Sequence, residues 1–335
     1  MSRVAFVIGA AVSAIVAGCG SPNGPGPLPD APAAACTANL NVSNVVGGSQ
    51  AVSYALPTVT GGTQPVAITC TPGSGTSFNV GTTTVSCIVT DARSRTAQCT
   101  FTVTLTAALS LDATKFLAFG DSVTEGQNGR LTLRGERVVD VTNSYPTQLE
   151  TKLNAEYSGH PITVVNRGYG GRTVDELRQR LPFDLSQIHP DAVLLLGGYN
   201  DLRNSCSPQE AATSKCADAT TEVAAGMRKM VVSSKEAAIK YIFVSTLTPP
   251  GPYAGGGFDR RIAASAIVTT NNKLITMVRA EAVTLVDPYP IFIGHEAEYI
   301  DQDGLHLRPA GNQALAETFF AAIKNTITST PALTH

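Results

Sequence analysis

The stretch Phe116–Ser122 reads Phe-Leu-Ala-Phe-Gly-Asp-Ser, an apolar run that ends abruptly in a glycine and two polar residues. Four consecutive apolar residues followed by turn-forming residues predict a short buried strand and a sharp turn. The stretch Ala192–Leu196 is also unbroken in its apolar character, which is typical of a parallel strand covered on both faces. Such strands alternate with helical patterns over residues 112–330. The alternation predicts an α/β domain built on a parallel sheet.

The other predicted elements of this domain follow the same alternation. Helices are indicated where apolar residues recur at helical spacing, and a proline suits the first helical turn because it lacks an N–H that would be unpaired there. We predict five strands, at 116–119, 162–165, 192–196, 241–245 and 283–286. We predict helices after the cap Ser144, over 173–181, 217–240 and 263–282, and from Pro309.

Residues capable of chemistry follow these strands. In an open parallel sheet, ligands bind beyond the carboxyl ends of the strands. Four stretches lie in such places: Gly120–Ser122, Asn166–Gly171, Gly197–Asp201 and Asp303–His306. They supply a hydroxyl group, flexible backbone N–H donors, a side-chain amide and an acid–imidazole pair. Together these are the parts of a site for acyl transfer.

The expected catalytic residues are Ser122, His306 and Asp303. A serine hydroxyl becomes nucleophilic when a neighbouring base removes its proton, and the imidazole of a histidine titrates near neutrality. Asp303 precedes His306 by three residues, so one tight turn can bring its carboxylate to the second ring nitrogen. We expect the oxyanion to be bound by the backbone N–H of Ser122, the backbone N–H of Gly171 and the side-chain amide of Asn200.

Structural interpretations remain open for the same residues. Gly171 could be a turn glycine, with Gly168 or Gly170 as the donor instead. Asp201 is expected to be a structural turn residue rather than a catalytic one. A helix cap, a turn contact and a loop histidine are the respective alternatives for Ser122, Asn200 and His306.

The four stretches resemble the sequence blocks of the SGNH hydrolase superfamily, also called GDSL esterases. The matching positions, in chain order, are Gly120–Gly126 with Val123 in place of the usual Leu, Gly171, Gly198–Asp201, and the pair Asp303 and His306. The resemblance implies a flavodoxin-like three-layer α/β/α fold and a serine esterase. Tyr199 is bulkier than the residue often found before that Asn in the family. An α/β-hydrolase would instead need G-x-S-x-G after a strand, and the sequence has none.

The N-terminal residues have the features of an export signal. Val4–Val16 is an apolar run followed by Ala17-Gly18-Cys19, which resembles the lipobox of bacterial lipoproteins. The resemblance implies a signal peptide over 1–18 and acylation of Cys19; the alternative is an ordinary signal in which the cysteine is incidental. Residues 19–35 are rich in Pro and Gly and predict an extended tether. We therefore expect an exported protein, anchored by lipid in the bacterial cell envelope.

Residues 36–107 predict a small all-β domain. The run Cys99–Leu105 alternates apolar residues and Thr, and paired glycines recur between such runs, which indicates a β-sandwich. The segment Cys70–Cys87 resembles the hyalin-repeat (HYR) module, which implies an immunoglobulin-like domain used for adhesion or spacing. We expect either a passive spacer or a module that binds a polysaccharide or another surface ligand.

Cysteine usage agrees with export. The chain has seven Cys, and an even number remains when Cys19 is set aside, which favours disulfides over a metal site. The positions leave the pairing within the first four open, whereas the last two would close a small loop. The disulfide candidates are Cys36, Cys70, Cys87, Cys99, Cys206 and Cys216.

Composition excludes several function classes. The formal net charge is -2 and no basic cluster occurs, which argues against nucleic acid as a partner. We expect no metal and no cofactor.

The leading hypothesis is a serine esterase that acts through an acyl-enzyme on short-chain or acetyl esters, including those of polysaccharides or lipids. The segment Pro249–Phe258 is expected either to line the substrate cleft or to be merely a loop. The alternative is a non-catalytic surface adhesin that binds through residues 36–107 and carries a vestigial hydrolase domain.

Overall fold

A computed structural model of the chain describes residues 29–252 and 261–331. The expected signal peptide at 1–18, the expected lipidation site Cys19, most of the tether and residues 253–258 of the glycine-rich segment lie outside the described residues. These assignments stay predictions. None of the helices in the described ranges combines the length and the hydropathy that a bilayer crossing requires.

The chain divides into two compact units, and the division does not fall at a single point in the sequence. The larger unit holds the residues from Thr104 onward together with 41–50 and 77–82. The smaller unit holds 51–76 and 83–103 together with the residues up to Leu40.

The N-terminal region, residues 29–107, forms strands joined by turns and loops, as the alternation of Thr with apolar residues predicts. Its strands are β1 (Ala33–Ala35), β2 (Leu40–Val45), β3 (Ser49–Ala51), β4 (Thr58–Thr60), β5 (Ala67–Thr71), β6 (Ser77–Asn79), β7 (Gly81–Thr90) and β8 (Thr96–Ala107). Four of them form a sheet in the order β2-β8-β7-β5. Along β8, Phe101, Val103 and Leu105 are buried while the residues between them are not. This one-sided burial is consistent with a β-sandwich.

Three disulfides confirm the prediction that the six cysteines of the described ranges are paired. Cys36 is bonded to Cys99 and Cys70 to Cys87 in the strand-rich region, which settles a pairing that the sequence left open. Cys206 is bonded to Cys216. That bond closes a short loop between two helices of the larger unit.

The rest of the chain alternates strands and helices. Its strands are β9 (Leu109–Leu111), β10 (Lys115–Gly120), β11 (Gln127–Leu131), β12 (Arg137–Val139), β13 (Thr163–Gly168), β14 (Ala192–Leu196), β15 (Tyr241–Ser245), β16 (Thr284–Val286) and β17 (Ser329–Pro331). Its helices are α1 (Ser122–Glu125), α2 (Tyr145–Glu156), α3 (Val174–Ile188), α4 (Tyr199–Arg203), α5 (Ser214–Glu236), α6 (Ala264–Glu281), α7 (Tyr289–Phe292), α8 (Glu296–Tyr299) and α9 (Pro309–Thr326).

The core of this unit is a five-stranded parallel sheet in the order β13-β10-β14-β15-β16. Helix α2 packs with α9, while α3 and α6 each pack against α5, so the helices form two layers. All five residues of β14 are buried, because both faces of a central parallel strand are covered. The expected α/β/α architecture is confirmed.

Candidate active site

The sheet register brings three loops to one edge of the sheet. Strand β10 lies between β13 and β14, and Gly120 is aligned with Gly168 on one side and with Leu196 on the other. Adjacent strands lie about 4.8 Å apart, so the loops that follow these residues start side by side. The candidate nucleophile and the candidate oxyanion donors come from these three loops.

Gly120 is required by the close packing at the end of β10. A Cβ atom at this position would lie 2.0 Å from the carbonyl oxygen of Leu196 and 2.3 Å from the Thr124 Oγ1 atom. No side chain fits in that space. The glycine therefore lets the chain turn directly from the strand into the first helix.

Asp121 and Ser122 begin helix α1. Asp121 is the N-cap residue, and its side chain accepts a hydrogen bond of 3.1 Å from the backbone N–H of Val123. The cap is thus the aspartate, whereas Ser122 is the first helical residue. Its backbone N–H has no hydrogen-bond partner among the described residues, as expected for the first turn of a helix.

Three side chains form a continuous hydrogen-bonded chain. The Ser122 hydroxyl lies 2.8 Å from His306 Nε2, which places it to donate its proton to that nitrogen. The other ring nitrogen, Nδ1, lies 2.6 Å from Asp303 Oδ2. The His306 side chain is 2% exposed and that of Asp303 is 10% exposed. The structure therefore brings together the three residues predicted for catalysis, in the order that a Ser-His-Asp triad requires.

A tight turn fixes the acid–imidazole pair. Asp303 Oδ1 accepts hydrogen bonds from the backbone N–H groups of Leu305 and His306, at 3.1 and 2.9 Å. Gly304 between them has φ +74, a left-handed conformation that glycine adopts without a steric penalty. Burial alone would raise the pKa of Asp303, but the hydrogen bonds and charge of His306 bring the pKa below its usual value. The carboxylate is therefore charged at neutral pH.

The predicted oxyanion donors lie in the two neighbouring loops. Asn200 is 1% exposed, and one hydrogen of its amide group is donated to the carbonyl oxygen of Arg172 at 3.0 Å. An amide NH₂ group has a second hydrogen to donate. Gly171 has φ +81, and its backbone N–H has no acceptor among the described residues. Both donors are available to a ligand.

The other glycines of the second loop have packing roles. The backbone N–H of Gly168 donates to Asn166 Oδ1 at 2.9 Å, so it is not free to bind an oxyanion. A Cβ on Gly170 would lie 2.0 Å from Gln127 Nε2, whereas one on Gly171 would meet nothing closer than Arg137 Nη1 at 3.7 Å. Gly171 thus has the most open surroundings of the three.

Asp201 makes a structural contact. Its carboxylate accepts a hydrogen bond of 3.1 Å from the backbone N–H of Val174, the first residue of α3. Burial raises the pKa of Asp201 to about 6. The residue joins α4 to the start of α3 and takes no part in the hydrogen-bonded chain at Ser122.

A β-hairpin next to the site was not foreseen from the sequence. Strands β11 and β12 pair antiparallel, and the hairpin approaches the acid of the triad at Gly129, where a Cβ would lie 3.0 Å from Asp303 Cγ. The Gly129 N–H donates to Asp301 Oδ2 at 3.2 Å. The turn signal Arg134-Gly135 followed by alternating residues could have indicated this hairpin.

No metal site is evident in the part of the chain that the structure describes. No group of three or more His, Cys, Asp or Glu residues there is arranged to hold an ion. The chemistry available at this edge of the sheet is that of a serine hydroxyl, an imidazole and hydrogen-bond donors. The fold and these groups define a hydrolase of the serine type.

Comparison with known families identifies the two parts of the chain. Residues 118–314 match the GDSL-like lipase/acylhydrolase family, and residues 30–105 match the HYR domain. The chain belongs to the GDSL-like lipase/acylhydrolase family and is a carboxylic ester hydrolase. The predicted kinship with SGNH hydrolases and with HYR modules is confirmed.

Three solved structures have a chain path similar to part of this chain. A carbohydrate acetylesterase from Sinorhizobium meliloti is 17% identical with a TM-score of 0.49, covering 63% of this chain and 99% of its own. A lipase/acylhydrolase from Enterococcus faecalis is 21% identical with a TM-score of 0.47 and coverages of 64% and 97%. An acetylxylan esterase from Geobacillus stearothermophilus is 22% identical with a TM-score of 0.48 and coverages of 64% and 95%. No significant match was found among curated proteins.

Proposed function

We propose that this protein hydrolyses short-chain acyl esters through an acyl-enzyme formed on Ser122. The observation that carries the proposal is the chain of two hydrogen bonds, 2.8 Å from the Ser122 hydroxyl to His306 and 2.6 Å from His306 to Asp303. Membership of an acylhydrolase family agrees with it.

The reaction follows from these positions. Ser122 Oγ attacks the ester carbonyl carbon as its proton passes to His306 Nε2, and the negative charge that develops on the carbonyl oxygen is stabilised by backbone and side-chain N–H donors. The carbon–oxygen bond to the alcohol then breaks, and His306 returns the proton to the departing alkoxide. Water, deprotonated by His306, releases the carboxylic acid and regenerates the serine. Asp303 holds the ring in the tautomer that accepts the proton.

The small exposure of the site supports a short acyl group. Ser122 and His306 are each 1% exposed. The Tyr199 side chain, which precedes Asn200, is 2% exposed, and its hydroxyl accepts a hydrogen bond of 2.8 Å from the backbone N–H of Thr248. A large aromatic ring therefore occupies interior volume beside the candidate oxyanion donor. An acetyl or similarly small group fits such surroundings better than a long chain.

The proposed location of the protein in the cell envelope narrows the class of ester that it would meet. An exported enzyme anchored through Cys19 would meet esters of the cell envelope or its surroundings, such as acetylated polysaccharides, and would not meet coenzyme A thioesters. A surface ligand of residues 36–107 would hold the enzyme close to such a polymer.

The test is hydrolysis of 4-nitrophenyl esters of increasing acyl length by the protein and by its Ser122→Ala variant. We expect the highest kcat/KM for acetyl or butyryl esters, and a fall in kcat of at least about 10³-fold in the variant. The matched control is Ser245→Ala, since Ser245 is an equally buried serine at the carboxyl end of β15. Equal rates for the wild type and Ser122→Ala would refute the assignment and favour the adhesin alternative.

A further inference from the structure

Arg203 is a cation beside the site, and no hydrogen bond or ion pair joins its side chain to the residues that the structure describes. It is the last residue of α4 and follows Asn200 by three positions, so the two side chains lie on the same face of the helix. Its Nε atom is buried and makes no hydrogen bond. Among the described residues, no carboxylate forms an ion pair with it. A buried donor without an acceptor is unfavourable, so an acceptor supplied by a ligand would be favourable here.

The charged groups near Arg203 have opposite effects on its pKa. Its pKa is lowered by burial and by the positive charge of Arg137, while the negative charge of Asp303 partly opposes this. Asp303 already holds His306 with one oxygen and two backbone N–H groups with the other. The carboxylate of Asp303 is thus already engaged in the triad.

Arg137 supplies the second cation. It lies on β12, and its Nη1 atom donates to Gln127 Oε1 at 3.3 Å. The same atom lies 3.7 Å from the place that a Cβ of Gly171 would occupy. Gln127 in turn donates to Glu125 Oε2 at 2.5 Å, so a carboxylate orients Arg137 only through an intervening amide. The guanidinium group is therefore held over the candidate oxyanion loop, and it has no ion pair with any described residue.

Two guanidinium groups beside the loops of the candidate oxyanion donors, one next to Gly171 and one a helical turn beyond Asn200, favour an anion between them. The planar fork of arginine donates two parallel hydrogen bonds, which match the two oxygens of a carboxylate. Arg137 lies beside Gly171, and Arg203 is close enough to Asp303 to feel its charge. An anion bound by both would therefore lie next to the reacting ester.

We propose that Arg137 and Arg203 bind a carboxylate group carried by the ester substrate close to the bond that is cleaved. This inference rests on the proposed esterase function and narrows its substrate class to acidic esters. A carboxylate in the alcohol half and one in the acyl half present the same chemistry, and the experiment distinguishes them.

The experiment compares matched pairs of esters at low ionic strength. For the alcohol half, 4-acetoxybenzoate is compared with the neutral 4-acetoxybenzamide; for the acyl half, the mono-4-nitrophenyl ester of glutaric acid is compared with its neutral monoamide. The readout is the ratio of kcat/KM for the acidic and the neutral ester. This ratio is independent of the amount of active enzyme, and comparison between variants removes the intrinsic reactivity of the esters.

We expect the wild type to favour the acidic member of at least one pair by about tenfold or more. The acidic-to-neutral ratio of kcat/KM should fall several-fold in Arg203→Gln and in Arg137→Gln. In the wild type, 0.5 M salt should reduce this ratio because exposed charges are screened. Arg134→Gln is the matched control, since Arg134 lies in the turn of the same hairpin and its loss changes the net charge equally. Its ratio should remain that of the wild type.

The outcomes separate this inference from the proposed function. The wild type and both variants could hydrolyse the neutral esters and show the same acidic-to-neutral ratio of kcat/KM. That result would overturn the carboxylate site and leave the esterase function standing. An equal fall of the ratio in Arg134→Gln would also overturn it, because the effect would then come from the general field of the protein. Absence of hydrolysis of every ester would instead contradict the esterase function itself.

Discussion

Asp121 is a buried carboxyl group directly before the candidate nucleophile. One oxygen accepts a hydrogen bond from Val123, while the other, Oδ2, has no partner among the described residues. Burial, together with the nearby charge of Asp201, raises the pKa of Asp121 to about 7, although the backbone N–H groups of Val123, Tyr199 and Gly198 oppose the shift. In an unfolded chain the pKa of an aspartate is about 3.9. Between these values the folded protein binds a proton that the unfolded chain has lost.

This difference predicts a pH-dependent stability. Because the native state binds more protons between about pH 4 and pH 7, the free energy of unfolding should fall as the pH rises through that range. Asp121→Asn keeps an acceptor for Val123 and removes the titration, so its stability should depend less on pH, by on the order of a few kcal/mol across the range. Denaturant unfolding of both proteins at several pH values measures this.

The Asp121 prediction has an internal comparison. Asp201 also has a raised pKa, of about 6, and its contribution has the same sign and remains in the Asp121→Asn variant. If the free energies of unfolding of the wild type and Asp121→Asn changed in parallel from pH 4 to pH 7, the result would show that Asp121 is charged in the folded state.

Asn200 is expected to act on the transition state. Asn200→Ala removes the side-chain donor, and loss of one oxyanion donor typically lowers kcat by about 10²–10³-fold with little change in KM. Steady-state kinetics on 4-nitrophenyl acetate measure both constants. Asp201→Asn is the control on the same helix, because its carboxylate contacts only the start of α3. A similar loss in both variants, or a change confined to KM, would count against an oxyanion role.

At the scale of elements, the end of β10 depends on a residue without a side chain. Gly120→Ala would push a Cβ into the backbone of the neighbouring strand, where the nearest atom is the Leu196 carbonyl oxygen. We expect a loss of stability of several kcal/mol, since overpacking against backbone cannot be relieved by a rotamer change. Thermal or denaturant unfolding of the purified variant provides the measurement.

Gly197→Ala is the matched control for Gly120→Ala. Gly197 follows the end of β14, and its Cβ would meet only the end of the Leu177 side chain, at 3.0 Å. A flexible leucine can yield, so the effect should be much smaller. If the two substitutions cost the same, the close approach of β10 and β14 would not be the reason for the glycine.

Helix α3 shows how tertiary packing overrides a local signal. The sequence predicts a helix over 173–181, and the residue that follows is Pro182, which lacks a backbone N–H and is unfavourable inside a helix. The helix instead continues to Ile188. Its start is secured by a capping box between Thr173 and Glu176, and its later turns bury Leu185. Burial of a leucine offsets part of the cost of the missing hydrogen bond.

At the scale of the whole molecule, we propose that the protein is held in the cell envelope by acylation of Cys19. Expressed in a bacterium, the full-length protein should partition into the detergent phase on phase separation, because acyl chains give stable membrane binding. Cys19→Ser should move it to the aqueous phase. Ser110→Ala is the control for effects of substitution and sample preparation, and it should partition like the unaltered protein. Partitioning of the unaltered protein into the aqueous phase would contradict the lipid anchor.

The sequence could predict those parts of the molecule that depend on local patterns. Strands β14 and β15 were predicted with their observed limits, because their apolar runs are bounded by turn residues. The candidate triad could be predicted because Ser122 comes directly after a strand and because Asp303 and His306 have the spacing of an acid–imidazole pair. The hairpin of β11 and β12 and the short helix α4 were missed, since they lack a long hydrophobic repeat.

By itself, the sequence determined the α/β alternation, the strand-rich N-terminal region and the chemical types of the side chains at the ends of the strands. Only the tertiary structure decided which cysteines pair, that Gly171 rather than Gly168 has an N–H without an acceptor among the described residues, and that Arg137 lies beside Gly171. The physical reason is that hydrophobic periodicity is a property of neighbouring residues, whereas disulfides, hydrogen-bond partners and charge balance depend on residues that are far apart in the chain and meet only when the sheet has formed.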